Sequence, residues 1–162
     1  MRAVSQDAPI LRPAARVLLI DDQNRLLLLC ARFSEGEVWI MPGGTLEPGE
    51  TIEQAAARQL WEETGVQSAE LGPCVWTRVH EFEWGGTRYE QHERFFVVRV
   101  ASPTITLDNS SAEELQLLSE WRWWTAEEIA QSDAMFAPRK LAKILPAILA
   151  GDFPGEPIAV DS

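Results

Sequence analysis

Two nearly continuous apolar runs open the hydrophobic pattern of the chain. Residues 16–20 and residues 25–30 are separated by four polar residues, 21–24. Two apolar runs joined by a short polar segment are typical of a β-hairpin. Because the runs are apolar without alternation, we expect both strands to be covered on both faces of a sheet.

Further strands follow from shorter patterns. Residues 38–41 predict a strand that ends at the Pro42-Gly43-Gly44 bend, after which a loop runs to Glu50. Residues 75–84 and 87–100 alternate on either side of a Gly-Gly pair and predict an antiparallel hairpin. A last strand is predicted over residues 121–124.

Capping signals predict the helices. Thr51 has Gln54 three residues later, the spacing of a capping box, so a helix is expected over residues 52–64 with Gly65 as its terminator. Thr125 has the same relation to Glu128 and predicts a short helix through Gln131. Residues 138–150 predict a final amphipathic helix, bent or broken at Pro146.

Together these elements predict an α/β fold of the α+β type, in which helices are interleaved among mainly antiparallel strands of a mixed sheet. The chain has 162 residues, 46% of them hydrophobic. This size suits one domain over residues 1–162, able to bury roughly 70% of the surface of its unfolded form. Residues 1–13 and 151–162 are expected to be loose ends.

Charge and composition limit the kinds of ligand and the cellular location that we expect for this protein. The formal net charge of −11 opposes binding to large nucleic acids, and a small anionic ligand would need local help from a metal or from focused cations. No segment has the length or apolarity of a signal peptide or a membrane span, which favours a soluble, cytoplasmic protein. Cys30 and Cys74 are isolated in apolar surroundings and are interpreted as core thiols of a reducing compartment. The oligomeric state stays open, with a homodimer as the commonest arrangement to consider.

Carboxylates and carboxamides on the predicted helix indicate its chemistry. At 100° per residue, Gln59, Glu62 and Glu63 fall within one arc of about 100°. Adjacent carboxylates repel unless a cation joins them, and Mg²⁺ or Mn²⁺ prefers such oxygen ligands. Arg58 is placed to pair with Glu50 or Glu62 and to fix carboxylate orientation. The Gly43-Gly44 pair leaves backbone free to face a metal or a phosphate.

The segment 44–66 resembles the Nudix box, a pattern of glycine, glutamate, arginine and paired glutamates at fixed spacing. The residues that match it are Gly44, Glu50, Arg58, Leu60, Glu62, Glu63, Gly65 and Val66. The resemblance implies an α/β/α sandwich around a mixed sheet. It also implies Mg²⁺-dependent hydrolysis, by a metal-activated water, of a nucleoside diphosphate linked to another moiety. The implied metal ligands are Gly43, Gln59, Glu62, Glu63 and Glu114.

Gln59 departs from the pattern, which has glutamate there, and it leaves two functions open. A carboxamide offers an oxygen to a cation but accepts no proton at neutral pH. The chain is then either a hydrolase, at full or reduced activity, or a nucleotide-binding module on the same fold. Glu114, nine residues before Trp123, is the first candidate for a compensating acid. The lesser candidates are Glu113, Glu93 and Glu90.

Several residues carry a structural alternative beside the functional one. Trp39 beside the glycine bend is the best-placed tryptophan to stack on a base, although packing is the more common role for it, as for the tryptophans at 76, 84, 121, 123 and 124. His80 and His92 are interpreted as hydrogen-bonded or surface residues. Phosphate binding or cross-strand ion pairing is open for Arg78, Arg88, Arg94 and Arg99.

Overall fold

The computed structural model describes residues 8–67 and 70–160, which form one mixed sheet flanked by helices. The strands are β1 (Ile10–Ile20), β2 (Leu26–Phe33), β3 (Gly36–Ile40), β4 (Gly43–Thr45), β5 (Cys74–Trp84), β6 (Thr87–Arg99), β7 (Leu118–Trp124), β8 (Phe136–Ala137) and β9 (Ile158–Ala159). The helices are α1 (Ile52–Thr64), α2 (Ala112–Leu117), α3 (Ala126–Gln131) and α4 (Leu141–Leu149).

The sheet is built around a long parallel pair, with antiparallel hairpins β1–β2, β2–β3 and β5–β6. Its main order is β8-β3-β2-β1-β6-β5-β9, with β4 paired to β1 and β7 paired to β2. β1 and β6 run parallel over eleven registered residues, whereas β5–β6 and β2–β7 are antiparallel. The predicted mixed and largely antiparallel sheet is confirmed.

Alternation along β1 sends side chains into two cores. Val17 and Leu19 pack with Ala56 and Leu60 of α1 on one face of the sheet. Leu18 and Ile20 pack on the opposite face with α4 and Ile129 of α3. All four β1 side chains are fully buried, as the unbroken apolar run predicts. Helices therefore cover both faces, and the α/β/α sandwich is confirmed.

Most predicted elements appear where the sequence placed them. The helix over residues 52–64 is α1, with the expected capping box and with Gly65 in the left-handed conformation that ends it. The short helix capped by Thr125 is α3. The hairpin turns at residues 85–86, both with positive φ.

Three expectations are wrong in detail. The ends are not wholly loose, because residues 10–13 pair with β6 and residues 158–159 form β9, which pairs with β5. α4 begins at Leu141 rather than at 138 and is not broken at Pro146, since Leu145 and Ile148 on either side of the proline are held in the core. The segment between Pro42 and Glu50 is not wholly loop, because β4 pairs with β1.

No helix in the described part of the chain combines the length and the apolarity needed to cross a membrane.

Candidate active site

Helix α1 sets the position of the candidate residues. The Thr51 hydroxyl accepts from the backbone of Gln54, and the Gln54 side chain accepts from the backbone of Thr51. Ala55, Ala56 and Leu60 are buried against the sheet. A capped first turn and a buried stripe fix the rotation of the helix about its axis, and with it the directions of its polar side chains.

Arg58 organises the exposed side of the site. Its guanidinium makes a two-pronged ion pair with Glu50, at 2.8 and 3.0 Å, and donates to Glu62 Oε1 at 3.2 Å. It also donates to the carbonyl oxygen of Thr45 at 3.0 Å. The hydrogen bond between Arg58 and Glu50 lowers the pKa of Glu50 and raises the pKa of Arg58. The sequence predicted that Arg58 pairs with Glu50 or Glu62, and in the structure it pairs with both.

Glu63 lies on the buried side, 4% exposed. Its Oε1 accepts from the backbone N–H of Gly43 at 3.1 Å, and the side chain of Glu114 lies near enough to act on its carboxyl. Burial raises the pKa of Glu63 well above its ordinary value, and the contact with Glu114 raises it further, against the opposing charge of Arg16. Two neighbouring carboxyls are stabilised when they share a proton or a cation.

Gln59 lies between these two groups, and the glycine bend is shaped to it. Its Nε2 donates to the carbonyl oxygen of Thr45 at 3.4 Å, while its Oε1 is buried with no hydrogen-bond partner. A Cβ on Gly44 would lie 2.4 Å from Gln59 Nε2. Glycine at position 44 therefore makes room for the side chain at position 59.

The predicted residues meet as two adjoining groups. Glu50, Arg58 and Glu62, all partly buried, form the outer group, and the buried Gly43 and Glu63, with the partly buried Glu114 near Glu63, form the buried group. In the ranges 8–67 and 70–160, no three Asp, Glu, His or Cys side chains converge as a ready metal cluster. The buried group therefore offers two carboxylates, with the carboxamide oxygen of Gln59 beside them.

A second charged network borders the buried group. Glu93, 2% exposed, accepts from Arg16 Nε at 3.0 Å, from Arg78 at 2.7 Å and from Gln91 at 2.9 Å. Burial acts to raise the pKa of Glu93, but the charges of Arg16 and Arg78 and the hydrogen bonds outweigh it and lower the pKa to about 2. Arg16 also donates to the carbonyl oxygen of Met41, next to the glycine bend. It therefore links this network to Glu63.

A cleft of about 1120 Å³ opens over the network. Four arginines and three glutamates are among its described lining residues, which gives the lining a formal charge of +1 in a protein of net charge −11. These charged residues are Arg12, Arg16, Glu35, Arg78, Glu83, Glu93 and Arg139. A smaller cavity of about 300 Å³ lies between α4 and the C-terminal segment, and none of the candidate residues lines it.

Three of the remaining candidates, Arg78, Arg88 and Glu90, form ion pairs outside the two groups. Arg78 forms the expected cross-strand pair and also lines the cleft, whereas Arg88 pairs with Glu81 at the surface. Glu90 pairs with His92, away from α1. The side chain of Glu113 lies outside those described.

The tryptophans differ in their surroundings, with Trp39 in a packed contact and Trp84 at the cleft. Trp39 packs edge-on against Trp124, with ring centroids 5.1 Å apart, which supports the packing interpretation. Trp84 is 72% exposed and lines the cleft, so its interpretation as a packing residue is wrong.

Sequence reasoning missed two arginines, Arg12 and Arg16. Both lie on β1 and point to the cleft. The available signal was their spacing of four around the small Ala14, which puts all three on one face of a strand. The apolar run that follows Arg16 predicts a buried strand and does not indicate that its first residues face a cleft.

Comparison with known proteins adds independent findings. The family model described as NUDIX domain matches residues 10–147. The chain is 33% identical over 139 residues to Nudix hydrolase 25 of Arabidopsis thaliana, covering 76% of this chain and 77% of that protein. It is 30% identical over 148 residues to an RNA pyrophosphohydrolase of Novosphingobium aromaticivorans, covering 83% and 89%. A Caenorhabditis elegans Ap4A hydrolase structure shares the fold, with a TM-score of 0.61, 23% identity and coverage of 86% and 98%.

Proposed function

The chain belongs to the Nudix hydrolase family, and from this we propose that it hydrolyses the diphosphate link of a nucleoside diphosphate joined to another moiety. Relatives named RNA pyrophosphohydrolases support diphosphate chemistry for this chain. The observation that carries the proposal is the buried Glu63, with Glu114 near it and the unpartnered Oε1 of Gln59 on the same helix, next to a cleft lined with arginines.

The donor set fits a hard divalent cation. Nudix hydrolases generally use divalent metal ions, and Mg²⁺ or Mn²⁺ takes oxygen ligands. Glu63 and Glu114 supply neighbouring carboxylates, and Gln59 supplies a buried oxygen without a hydrogen-bond partner. We propose these three as the principal ligands, with Glu62 and the carbonyl of Gly43 completing the set. A bound cation of this kind neutralises charge on the diphosphate oxygens.

The chain's own residues then position the substrate and take up a proton. Arg16 and Arg78 lie at the cleft beside the carboxylates and bind phosphate oxygens of the substrate. Water attacks one phosphorus, a new P–O bond forms, and the bond to the bridging oxygen breaks. Gln59 cannot accept the proton of that water, so we assign this role to a carboxylate oxygen of Glu114. Arg58, through Glu50 and the carbonyl of Thr45, is a positioning residue.

Replacement of Glu63 by glutamine tests the proposal. Glu63→Gln keeps an oxygen to accept the N–H of Gly43 but loses the charge that a cation needs. We expect kcat/KM to fall by at least about 100-fold. The measurement is a screen of nucleotide sugars, dinucleoside polyphosphates, oxidised nucleoside triphosphates and capped or 5′-triphosphorylated RNA, with Mg²⁺ and with Mn²⁺.

The matched control is Glu53→Gln, an exposed glutamate in the first turn of the same helix, which should keep the parent activity. Circular dichroism of each variant checks that it is folded. Unchanged turnover in folded Glu63→Gln would refute the site. If the parent chain binds nucleotides saturably but hydrolyses none of the panel, the alternative of a binding module, which Gln59 favours, replaces the hydrolase.

A further inference from the structure

The sheet face that forms the floor of the cleft changes in character along β5. Arg78, His80, Phe82 and Trp84 alternate onto the cleft side, and all four line the cleft. Arg78 lies beside Glu93 in the charged network, whereas Trp84 is at the hairpin tip. From Arg78 to Phe82 the strand advances four residues, about 13 Å. A charged end and an aromatic end are thus held at a fixed distance on one surface.

The aromatic end is a stacked ladder of three rings. Phe82 lies nearly parallel to His80, with centroids 5.5 Å apart and planes at 22°, and nearly parallel to Tyr89, at 5.4 Å and 26°. The register of β5 with β6 pairs Phe82 directly with Tyr89. Burial acts to lower the pKa of His80, with Arg78 adding to the effect. We name these three residues, together with Arg12 and Trp84, the stacking platform.

Arg12 is held on the platform by the rings. Its guanidinium lies 4.7 Å from the ring centroid of Tyr89 and 5.7 Å from that of Phe82. No carboxylate of the described residues forms an ion pair with Arg12. A guanidinium held by its face on aromatic rings leaves its in-plane N–H groups available, and these suit the acceptor edge of a planar heterocycle.

The cleft is larger than a diphosphate requires. At about 1120 Å³ it is at the upper end of the range for sites that enclose a drug-sized ligand, and its far wall includes Phe33 and Met135, both about half exposed. A ligand anchored by its phosphates at Arg16 and Arg78 extends along β5 toward the rings. The group it carries there meets flat aromatic surface rather than further charge.

We infer that the stacking platform recognises the nucleobase of the substrate, with Phe82 and Trp84 as its stacking surfaces and Arg12 as its hydrogen-bonding group. This inference rests on the proposed function, because the phosphates must be anchored at the charged end for the base to reach the rings. It assigns selectivity for base-containing diphosphates over the diphosphate group alone. The competing role is purely structural, since cross-strand aromatic pairs also stabilise hairpins.

Binding of two ligands separates recognition from structure. Isothermal titration calorimetry with Mg²⁺ compares the α,β-methylene analogue of adenosine triphosphate with methylenediphosphonate, which has the phosphorus groups but no base. For Phe82→Leu we expect the Kd of the nucleotide analogue to rise about tenfold. The Kd of methylenediphosphonate should change less than about twofold. Phe82→Tyr, which restores the ring, should recover the nucleotide affinity.

Two further variants keep the test decisive. Val79→Ala changes a 52% exposed residue on the other face of β5 and should leave both affinities unchanged. Trp84→Ala alters an exposed ring that folding does not require, so it tests the platform even if Phe82→Leu is unstable; it too should weaken only the nucleotide analogue. Equal weakening of both ligands, or of neither, overturns the inference. If the parent protein binds neither ligand and hydrolyses none of the panel, the proposed function fails instead.

Discussion

One oxygen atom of the candidate site, Gln59 Oε1, is a buried polar atom with unmet hydrogen-bonding capacity. It is buried without a partner, while the nitrogen of the same carboxamide donates to Thr45. A buried acceptor without a partner costs about 1–3 kcal/mol unless something binds it. The arrangement suits a cation ligand and gives position 59 no capacity to take up a proton. The sequence alone showed that Gln59 replaces the glutamate of the Nudix box, because the other residues of the box keep their spacing.

Restoring a carboxylate at this position should raise activity at the expense of metal-free stability. Gln59→Glu places a third acid beside Glu63 and loses the hydrogen bond to Thr45, so we expect the free energy of unfolding without metal to fall by about 1–3 kcal/mol. Saturating Mg²⁺ should recover that loss, and kcat should rise by about tenfold or more. Thermal unfolding with and without Mg²⁺ and steady-state kinetics measure the two effects.

The control for this substitution is Gln54→Glu on the same helix, which keeps the capping-box geometry and is exposed. It should change neither kcat nor the response to Mg²⁺. A Gln59→Glu protein that is no more active than the parent would show that the missing carboxylate does not limit turnover.

The secondary-structure elements of the site differ in how well they can be predicted from sequence. Helix α1 was predictable to the residue because its cap, its apolar stripe and its terminal glycine all agree. Strand β4 was not, because Gly-Gly-Thr has no strand propensity of its own. It forms because β1 offers partners at residues 14–16, and that pairing brings the N–H of Gly43 to Glu63. The buried stripe of α1 already turns Glu63 rather than Glu62 toward the sheet, and the pairing of β4 supplies the N–H that Glu63 meets there.

The close approach of β4 to β1 should make Gly43 intolerant of any side chain. A Cβ there would lie 2.0 Å from the backbone oxygen of Ala15, at a φ of 153°. We expect Gly43→Ala to lower the free energy of unfolding by about 3 kcal/mol or more, because backbone must move. Gly36 has a similar φ of 139° but open space around its Cβ position. Gly36→Ala should therefore cost only about 1 kcal/mol.

Urea unfolding of the two alanine variants measures both values. Similar losses at positions 36 and 43 would mean that the backbone conformation, rather than the contact with β1, accounts for the effect. Gly43→Ala should also lose Mg²⁺-dependent stabilisation, since the donor to Glu63 moves with β4.

At the scale of the whole molecule, function depends on how charge is distributed rather than on its sum. The sequence predicts the acidic total, but it could not predict the cleft, because the parallel pairing of β1 with β6 joins residues about 80 positions apart. That register places Arg16 beside Glu93 and Arg78, and the local charge of the cleft becomes positive. Contacts of such sequence separation have no signature in local periodicity.

This distribution predicts how the enzyme treats the length of an RNA substrate. The described cleft lining has one net positive charge, and the rest of the protein is strongly acidic, so phosphates beyond the first few nucleotides meet repulsion rather than contacts. We expect kcat/KM for a 5′-triphosphorylated dinucleotide to be at least equal to that for RNA of about 20 nucleotides, with a shallow dependence on salt. Steady-state kinetics on both substrates from about 50 to 200 mM salt measure this. A preference of more than about tenfold for the longer RNA, lost as salt rises, would require an extended basic surface and would contradict the confinement of anion binding to the cleft.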